Sequence, residues 1–494
     1  MMRVPVFSLL HILMFHVLMG LTASAQGQVR PQSDSSTANP DHSGTNYMKE
    51  NKSSDQLTKQ NLSKFLQDKL PQGLSMTSTP RRSTSSHIVA PTSDQANKSE
   101  TSRFTELLQQ VSPALVASGD LEAYTNYRIV RPNVDVQHYN VSSPSGTRPA
   151  TIRSVYKTGD TGGSGVIAIV DAYHYPNAAS DIAKFSSTFN LPQLSACPDT
   201  NPFSGASPCL RIESNPNSPI DCGWNGESAL DLEWAHAVAP NASILFIEAA
   251  SSRNADLYAS VAKARDEIGG FHGELSMSWG TSGEAIQTAA FESTFTDGVL
   301  YFAASGDTGG QLGFPADFPN VIAVGGTVLY YKTDGTLAAE VGWPDSGGGV
   351  STLEKPSPQY QTGVENVDPN GRNTPDMAAV SDANPAVAVY VSTPVGQCQD
   401  HPAPDQYQSG WTQLIGTSLA APVVAAMVNV AAHHRTTVMT ELQAIYGNRK
   451  DPLRIRDITL MNGIAGGNAI KPGYDNVTGV GAPASMDFDA DPPH

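Results

Sequence analysis

Positive charge is scarce in this chain: 30 Lys and Arg stand against 47 Asp and Glu, for a formal net charge of -17. Phosphate binding relies on basic patches, so this balance argues against nucleic acid as a partner. It suits a solvated surface and brings the molecule towards neutrality in acid. Long apolar runs are equally scarce. After the first 25 residues no stretch approaches the roughly 20 apolar residues that a spanning helix needs, so no membrane association is expected once a signal is removed. Cysteines number only four, with no Cys-x-x-Cys and no paired Cys/His spacing, which argues against a zinc site. No internal repeat is visible.

What is present begins with an export signal. Arg3 supplies a positive start, "VFSLLHILMFHVLMGL" an apolar core and Ala23 to Ala25 a small-residue cleavage site. Residues 1–25 therefore predict a secreted protein, extracellular or periplasmic. Cys197, Cys209, Cys222 and Cys398 suit an oxidising compartment and allow three pairings, of which Cys197–Cys209 with Cys222–Cys398 is preferred. From Gln26 to about Ser102 the chain is rich in Ser, Thr, Asn and Gln and too poor in apolar residues to offset chain entropy. A short helix is expected at 104–117 and a strand or two within 127–143. Residues 26–147 as a whole read as a largely disordered pro-segment or linker, with self-cleavage expected within 130–150.

The character changes at "SGVIAIVDAYHYP", where a β-branched run ends at Asp171. A helix capped by Ser180 follows, and apolar strands then alternate with helices: "ESALDLEWAHAVA", "SILFIEAA", "NADLYASVAKARDEIG", "GELSMSWG", "TAAFESTFTDG", "VLYFAASGD" and "VIAVGGT". The last clear helix is "SLAAPVVAAMVNVAAHHR". This alternation predicts an α/β fold with a mostly parallel central sheet and helices on both faces.

Ser418 opens that last helix within "IGTSLAAP". A serine after Gly-Thr and before Ala-Ala-Pro resembles the nucleophile of subtilisin-type peptidases, whose general base is a histidine in a His-Gly-Thr context. None of the 12 histidines precedes Gly-Thr. His272 comes before a strand, His236 lies inside an apolar helix, and His433 and His434 sit at a helix end, where they favour the dipole. Carboxylates are better placed. Glu227 and Asp231 lie four apart, on one helix face, among Trp224, Leu230 and Trp234. Alone, such a pair reads as a solvated acidic face; buried, it would share protons and split its pKa values. Asp307 follows a buried strand in the Gly-rich turn "SGDTGG", either as an ordinary turn aspartate or at the strand end where open α/β sheets carry their ligands.

Together with "SMSWG", "FPADFPNVIAVGGT", "GWPDSGGGVS", "NTPDMAAVSDANP" and "RDITLMNG…KPGYDNVTGVGAP", taken in order from about Thr151 to Ser485, these motifs resemble the sedolisin family, serine-carboxyl peptidases of subtilisin-like fold. The resemblance implies a peptidase domain over 148–490 that acts as a monomer on polypeptide substrates. Ser418 would be the nucleophile, Glu227 its base, Asp231 the group orienting Glu227, and Asp307 the oxyanion stabiliser. Asp171 would stand behind the carboxylates, and Trp279 would support them. A glutamate, with a free pKa of about 4.3, is an unprotonated base in acid where histidine is charged. An aspartate donates a hydrogen bond to an oxyanion only when protonated. Acidic pH is therefore expected. The resemblance further implies one structural calcium ion held by Asp457 and Asp475 carboxylates and by Ile458 and Gly473 carbonyls, all hard oxygen donors. Lys471 stands where the family pattern has a further glycine. The chain also departs from the family in offering only a short pro-segment. Two other readings stay open: a subtilisin-type peptidase with a displaced histidine, and an inactive secreted binding protein that keeps the fold.

Overall fold

The computed structural model describes residues 122–130 and 144–492 apart from gaps at 201, 206, 283–288, 333, 356, 394–409 and 462–467, together with the strand Ile88–Val89. The expected signal at 1–25, most of 26–147, the helix expected at 104–117 and Cys398 lie outside the described residues.

A nine-stranded sheet forms the centre. Its strands are β1 (Val166–Ala172), β2 (Ser195–Ala196), β3 (Cys209–Glu213), β4 (Ser243–Ala249), β5 (Glu274–Met277), β6 (Leu300–Ala304), β7 (Ile322–Tyr331), β8 (Leu337–Gly342) and β9 (Met377–Ala383). Their order is β8-β7-β6-β5-β1-β4-β3-β2, with β9 also paired to β7. Every pairing is parallel except the edge pair β7–β8. All residues of β1 and β4 are buried, which is why "VIAIVDA" and "SILFIEA" run apolar instead of alternating.

Strand β1 is the point where the winding reverses. The chain leaves it for β2, β3 and β4 on one side, then crosses to β5 on the other. The carboxyl ends of strands splay apart at such a switch and leave a crevice for ligands. Asp171 lies at this end of β1.

The helices are α1 (Pro149–Tyr156), α2 (Ala178–Phe189), α3 (Cys222–Val238), α4 (Asn254–Ile268), α5 (Thr417–Ala431) and α6 (Val438–Asn448). They cover both faces of the sheet; α3 and α5 pack against each other, and α4 lies on β1, β4 and β5. Every residue of α3 is buried, so it has no solvent face on which to place Glu227 and Asp231. It begins earlier than expected, because Asp221 accepts from the Trp224 N–H at 2.9 Å and caps it. Helix α2 is capped at Asn177, not Ser180; the Ser180 hydroxyl donates back to the Asn177 carbonyl from within the first turn.

Packing extends upstream of the expected boundary at 148. Tyr124–Thr125 pairs with Trp279–Ser282, and Arg128–Val130 pairs with Gly410–Ile415 and Ile88–Val89. Ala123, Asn126 and Tyr127 are buried. Cys197 is bonded to Cys209. Cys222 is also in a disulfide, and its expected partner Cys398 lies outside the described residues. Among the described residues no helix is long and apolar enough to cross a membrane.

Candidate active site

Ser418 is delivered by a strand, a turn and a helix. The strand Gly410–Ile415 ends at Gly416, whose φ of +144° is open to glycine, and α5 starts at Thr417. Pro422, four residues on, has no N–H for the Ser418 carbonyl. The Ser278 hydroxyl takes that place, donating to the Ser418 carbonyl at 3.1 Å. In return the Ser418 hydroxyl donates to the Ser278 carbonyl at 3.0 Å. The nucleophile candidate is thus tied by two bonds to the residue that follows β5.

The carboxylates come from three elements. Helix α3 presents Glu227 and Asp231 one turn apart, β1 presents Asp171, and the turn after β6 presents Asp307; the first three are fully buried. Glu227 Oε2 accepts the Asn126 N–H at 3.1 Å. Glu227 Oε1 and both carboxylate oxygens of Asp231 and Asp171 have no hydrogen-bond partner among the described residues. Burial, then the charges of Asp231 and Asp171, push Glu227 well above the usual carboxylate range; the nearby Ser418 hydroxyl offsets part of this, and Asp307 adds to it. Burial and the Asp171 charge push Asp231 up likewise, against the Ser278 hydroxyl. Burial raises Asp171 to about 7, with Ser228 opposing. These hydroxyls soften the rise only by proximity, since each donates its proton to a backbone carbonyl. A cluster so placed holds protons in common instead of carrying a full charge on each carboxylate.

Asp307 is tied to α5. Its Oδ1 accepts both the N–H (2.9 Å) and the hydroxyl (2.8 Å) of Thr417, so Oδ2 is the oxygen left to carry a proton. Its Oδ2 lies against Gly416, 2.9 Å from where a Cβ would stand. Glu227, Asp231, Asp307 and Ser418 therefore meet in one buried locus.

The histidines are elsewhere. His236 is fully buried and donates Nε2–H to the Pro192 carbonyl at 2.8 Å; burial lowers its pKa to about 4. His272 precedes β5, at the opposite end of the sheet, with its ring 5.3 Å from that of His434. His433 pairs with Asp489 at 2.9 Å. No histidine among the described residues is hydrogen-bonded to Ser418. Trp279 donates to the Val170 carbonyl at 2.7 Å, so it braces through the backbone the end of β1 that carries Asp171. Asn126 has no signal in the sequence. It comes from the segment expected to be largely disordered, yet its backbone touches Glu227, Ser278 and Ser418.

The expected calcium ligands lie in two adjoining loops, where the Gly473 N–H donates to Asp457 Oδ2 at 3.0 Å. Asp475 is buried, and its oxygens take backbone N–H groups of Lys471, Val477 and Thr478. Lys471 thus reaches this loop through its backbone. Burial raises Asp475 to about 6, which an adjacent cation would counter. Among the described residues no three Asp, Glu, His or Cys side chains group as metal ligands. The set offers two carboxylates and two carbonyls, a donor chemistry that fits a hard cation and not a soft one.

The subtilase family model matches residues 215–471, a span that includes Glu227, Asp231, Asp307 and Ser418 but not 122–130. The chain is 30% identical to kumamolisin from Bacillus sp. (strain MN-32) over 307 residues, 55% of this chain and 50% of that protein. It is 31% identical to sedolisin from Pseudomonas sp. (strain 101) over 127 residues, 24% of this chain and 19% of that protein. It therefore spans half the length of the first relative and less of the second. A solved structure of Pseudomonas sedolisin, a serine-carboxyl proteinase complexed with two molecules of pseudo-iodotyrostatin, is similar with a TM-score of 0.55 at 21% identity. The likeness covers 70% of this chain and 98% of that one, and concerns the fold.

Proposed function

The chain belongs to the subtilase family and is sedolisin-like within it, and from that premise we propose that it is a secreted serine-carboxyl peptidase working in acid. The observation that carries this reading is the packing of the Ser418 helix end against two buried carboxyl side chains, Glu227 and Asp231. Ser418 attacks a peptide carbonyl while Glu227 takes its proton and passes it to the leaving amine. Asp231 orients Glu227 and shares its proton. Asp307, protonated, and the Ser418 N–H receive the negative oxygen of the tetrahedral intermediate. Water then hydrolyses the acyl-enzyme by the same route in reverse.

Both pH requirements follow from these roles. The base must lose its proton, so activity falls at the lowest pH. Asp307 must keep its proton, so activity falls again towards neutrality. Asp457, Asp475, Ile458 and Gly473 would hold one calcium ion, which when bound would tie the two loops by charge. The test is hydrolysis of a denatured protein from pH 3 to 8 by wild type, Ser418→Ala and Glu227→Gln. The expected result is an acidic optimum and a loss of about a thousandfold or more in both variants. Full activity in Glu227→Gln, or an alkaline optimum, overturns the carboxylate base.

A further inference from the structure

Residues 122–130 take no part in the central sheet, yet neighbouring segments hold them along both edges. Glu122 bridges Arg253, and the Ala123 N–H donates to the Ser252 carbonyl at 2.7 Å. On the other edge Tyr124 and Thr125 pair antiparallel with Gly280 and Trp279. Past Asn126, Arg128 and Ile129 pair antiparallel with Ile415 and Leu414. The segment thus runs extended from the strand that follows Ser278 to the strand that leads into Ser418.

One peptide unit lies on the nucleophile. The Asn126 carbonyl accepts the backbone N–H of Ser418 at 3.1 Å. The Asn126 N–H is shared between the Ser278 carbonyl (3.3 Å) and Glu227 Oε2 (3.1 Å). The same Ser278 carbonyl holds the Ser418 hydroxyl, so that hydroxyl stands beside residue 126. The approach is close enough to need a glycine: a Cβ on Gly416 would lie 2.1 Å from the Asn126 oxygen and 2.7 Å from Tyr127 Cα. A linker merely tied to the surface has no need to offer its carbonyl to the nucleophile's own amide. A scissile carbonyl does, because an amide there receives the oxygen as it becomes negative.

We propose that residues 123–130 fill this chain's own substrate cleft in the register of a substrate, and that Ser418 cleaves the bond between Asn126 and Tyr127. This rests on the peptidase reading above. The hydroxyl turns from the Ser278 carbonyl to Glu227 and gives up its proton as Oγ bonds to the Asn126 carbonyl carbon. The C–N bond breaks, and Glu227 returns the proton to the Tyr127 nitrogen. Water then cleaves the Asn126 ester, leaving a carboxylic acid on Asn126, an amine on Tyr127 and a free Ser418. Self-cleavage therefore falls just upstream of the 130–150 window expected from the sequence.

The residues after this bond also name what the cleft accepts. The Tyr127 hydroxyl donates to the Gly223 carbonyl at 2.7 Å, over Gly226, where a Cβ would stand 2.5 Å from that hydroxyl. Arg128 pairs with Asp345 at 2.5 Å, donates to the Asp307 carbonyl at 2.6 Å and lies 5.4 Å from the Trp343 ring centroid. Polypeptides with an aromatic and then a basic residue after the cleaved bond fit these sites.

The test uses the full chain. Wild type and Ser418→Ala are held at acidic pH, and the first new N-terminus is read by sequencing and intact mass. The activated enzyme is then given a peptide of the sequence 122–130 and its Arg128→Ala counterpart. The expected first N-terminus is Tyr127, absent in Ser418→Ala. The peptide should be cut between the same two residues, with kcat/KM about fivefold lower for the counterpart. If the enzyme digests denatured protein but first cleaves itself elsewhere or not at all, or leaves this bond intact in the peptide, the inference is overturned and the peptidase reading stands. If it digests neither protein nor itself, both fall.

Discussion

In the proposed mechanism Glu227 acts as a base only while ionised, and its surroundings oppose ionisation. Burial and three neighbouring carboxylates all raise its pKa. The acid limb of the proposed activity profile is therefore expected above the pH at which a free glutamate titrates. Asp171 contributes through its charge, so Asp171→Asn should let Glu227 ionise more readily and move the acid limb of kcat/KM to lower pH. An unmoved limb would separate Asp171 from the titration. In sequence, Glu227 and Asp231 were legible through their four-residue spacing among apolar neighbours. Asp171 was legible as a strand-end acid. Asn126 was not, because its contribution is a backbone N–H and carbonyl, which every residue but proline carries.

At the scale of the element, α5 works because one missing hydrogen bond is replaced. Pro422 leaves the Ser418 carbonyl without its helical donor, and Ser278 supplies one from the end of β5. Removing that hydroxyl strands a buried carbonyl, at a cost of about 1–3 kcal/mol. Ser278→Ala should therefore lower the melting temperature, and adding Pro422→Ala should recover much of the loss, because the backbone N–H that this second substitution restores can reach the same carbonyl. Simple additivity in a thermal double-mutant cycle would contradict this coupling. The α5 helix itself was legible from its apolar run, and Pro422 with it. The partner was not, since Ser278 and Ser418 are brought together only by packing across 140 residues of sequence. Likewise α3 was expected to begin at Glu227 and begins at Cys222, because Asp221 caps it.

For the whole molecule, the buried carboxyls decide how stability follows pH. Burial lifts Asp171 to about 7, Glu274 to about 8 and Asp382 to about 6. In the unfolded chain such groups titrate near about 4. Between about pH 4 and 8 the folded state holds protons that the unfolded chain has released, so stability is greatest at the acidic end and falls as pH rises. His433, raised by its hydrogen bond to Asp489, acts in the same sense. His236, lowered to about 4, opposes it below about pH 6.5 but is a single group. The melting temperature at pH 5 should exceed that at pH 8 by at least about 2 °C. An equal or lower value at pH 5 would mean that these carboxyls keep their ordinary pKa values in the fold.

The sequence by itself determined the α/β alternation, the parallel sheet and the local setting of Ser418, because apolar runs, helix periodicity and turn residues are local properties. It also marked Glu227, Asp231 and Asp307 as candidates from their immediate neighbours. Only the tertiary structure decided that β1 is the switch point, that Ser278 completes the α5 helix end, and that residues 122–130 are packed against the site. Each of these depends on contacts between segments far apart in the chain, made largely through backbone groups that look alike in every residue. An expectation of disorder over its segment concealed Asn126, and the amide of Ser418 singled it out.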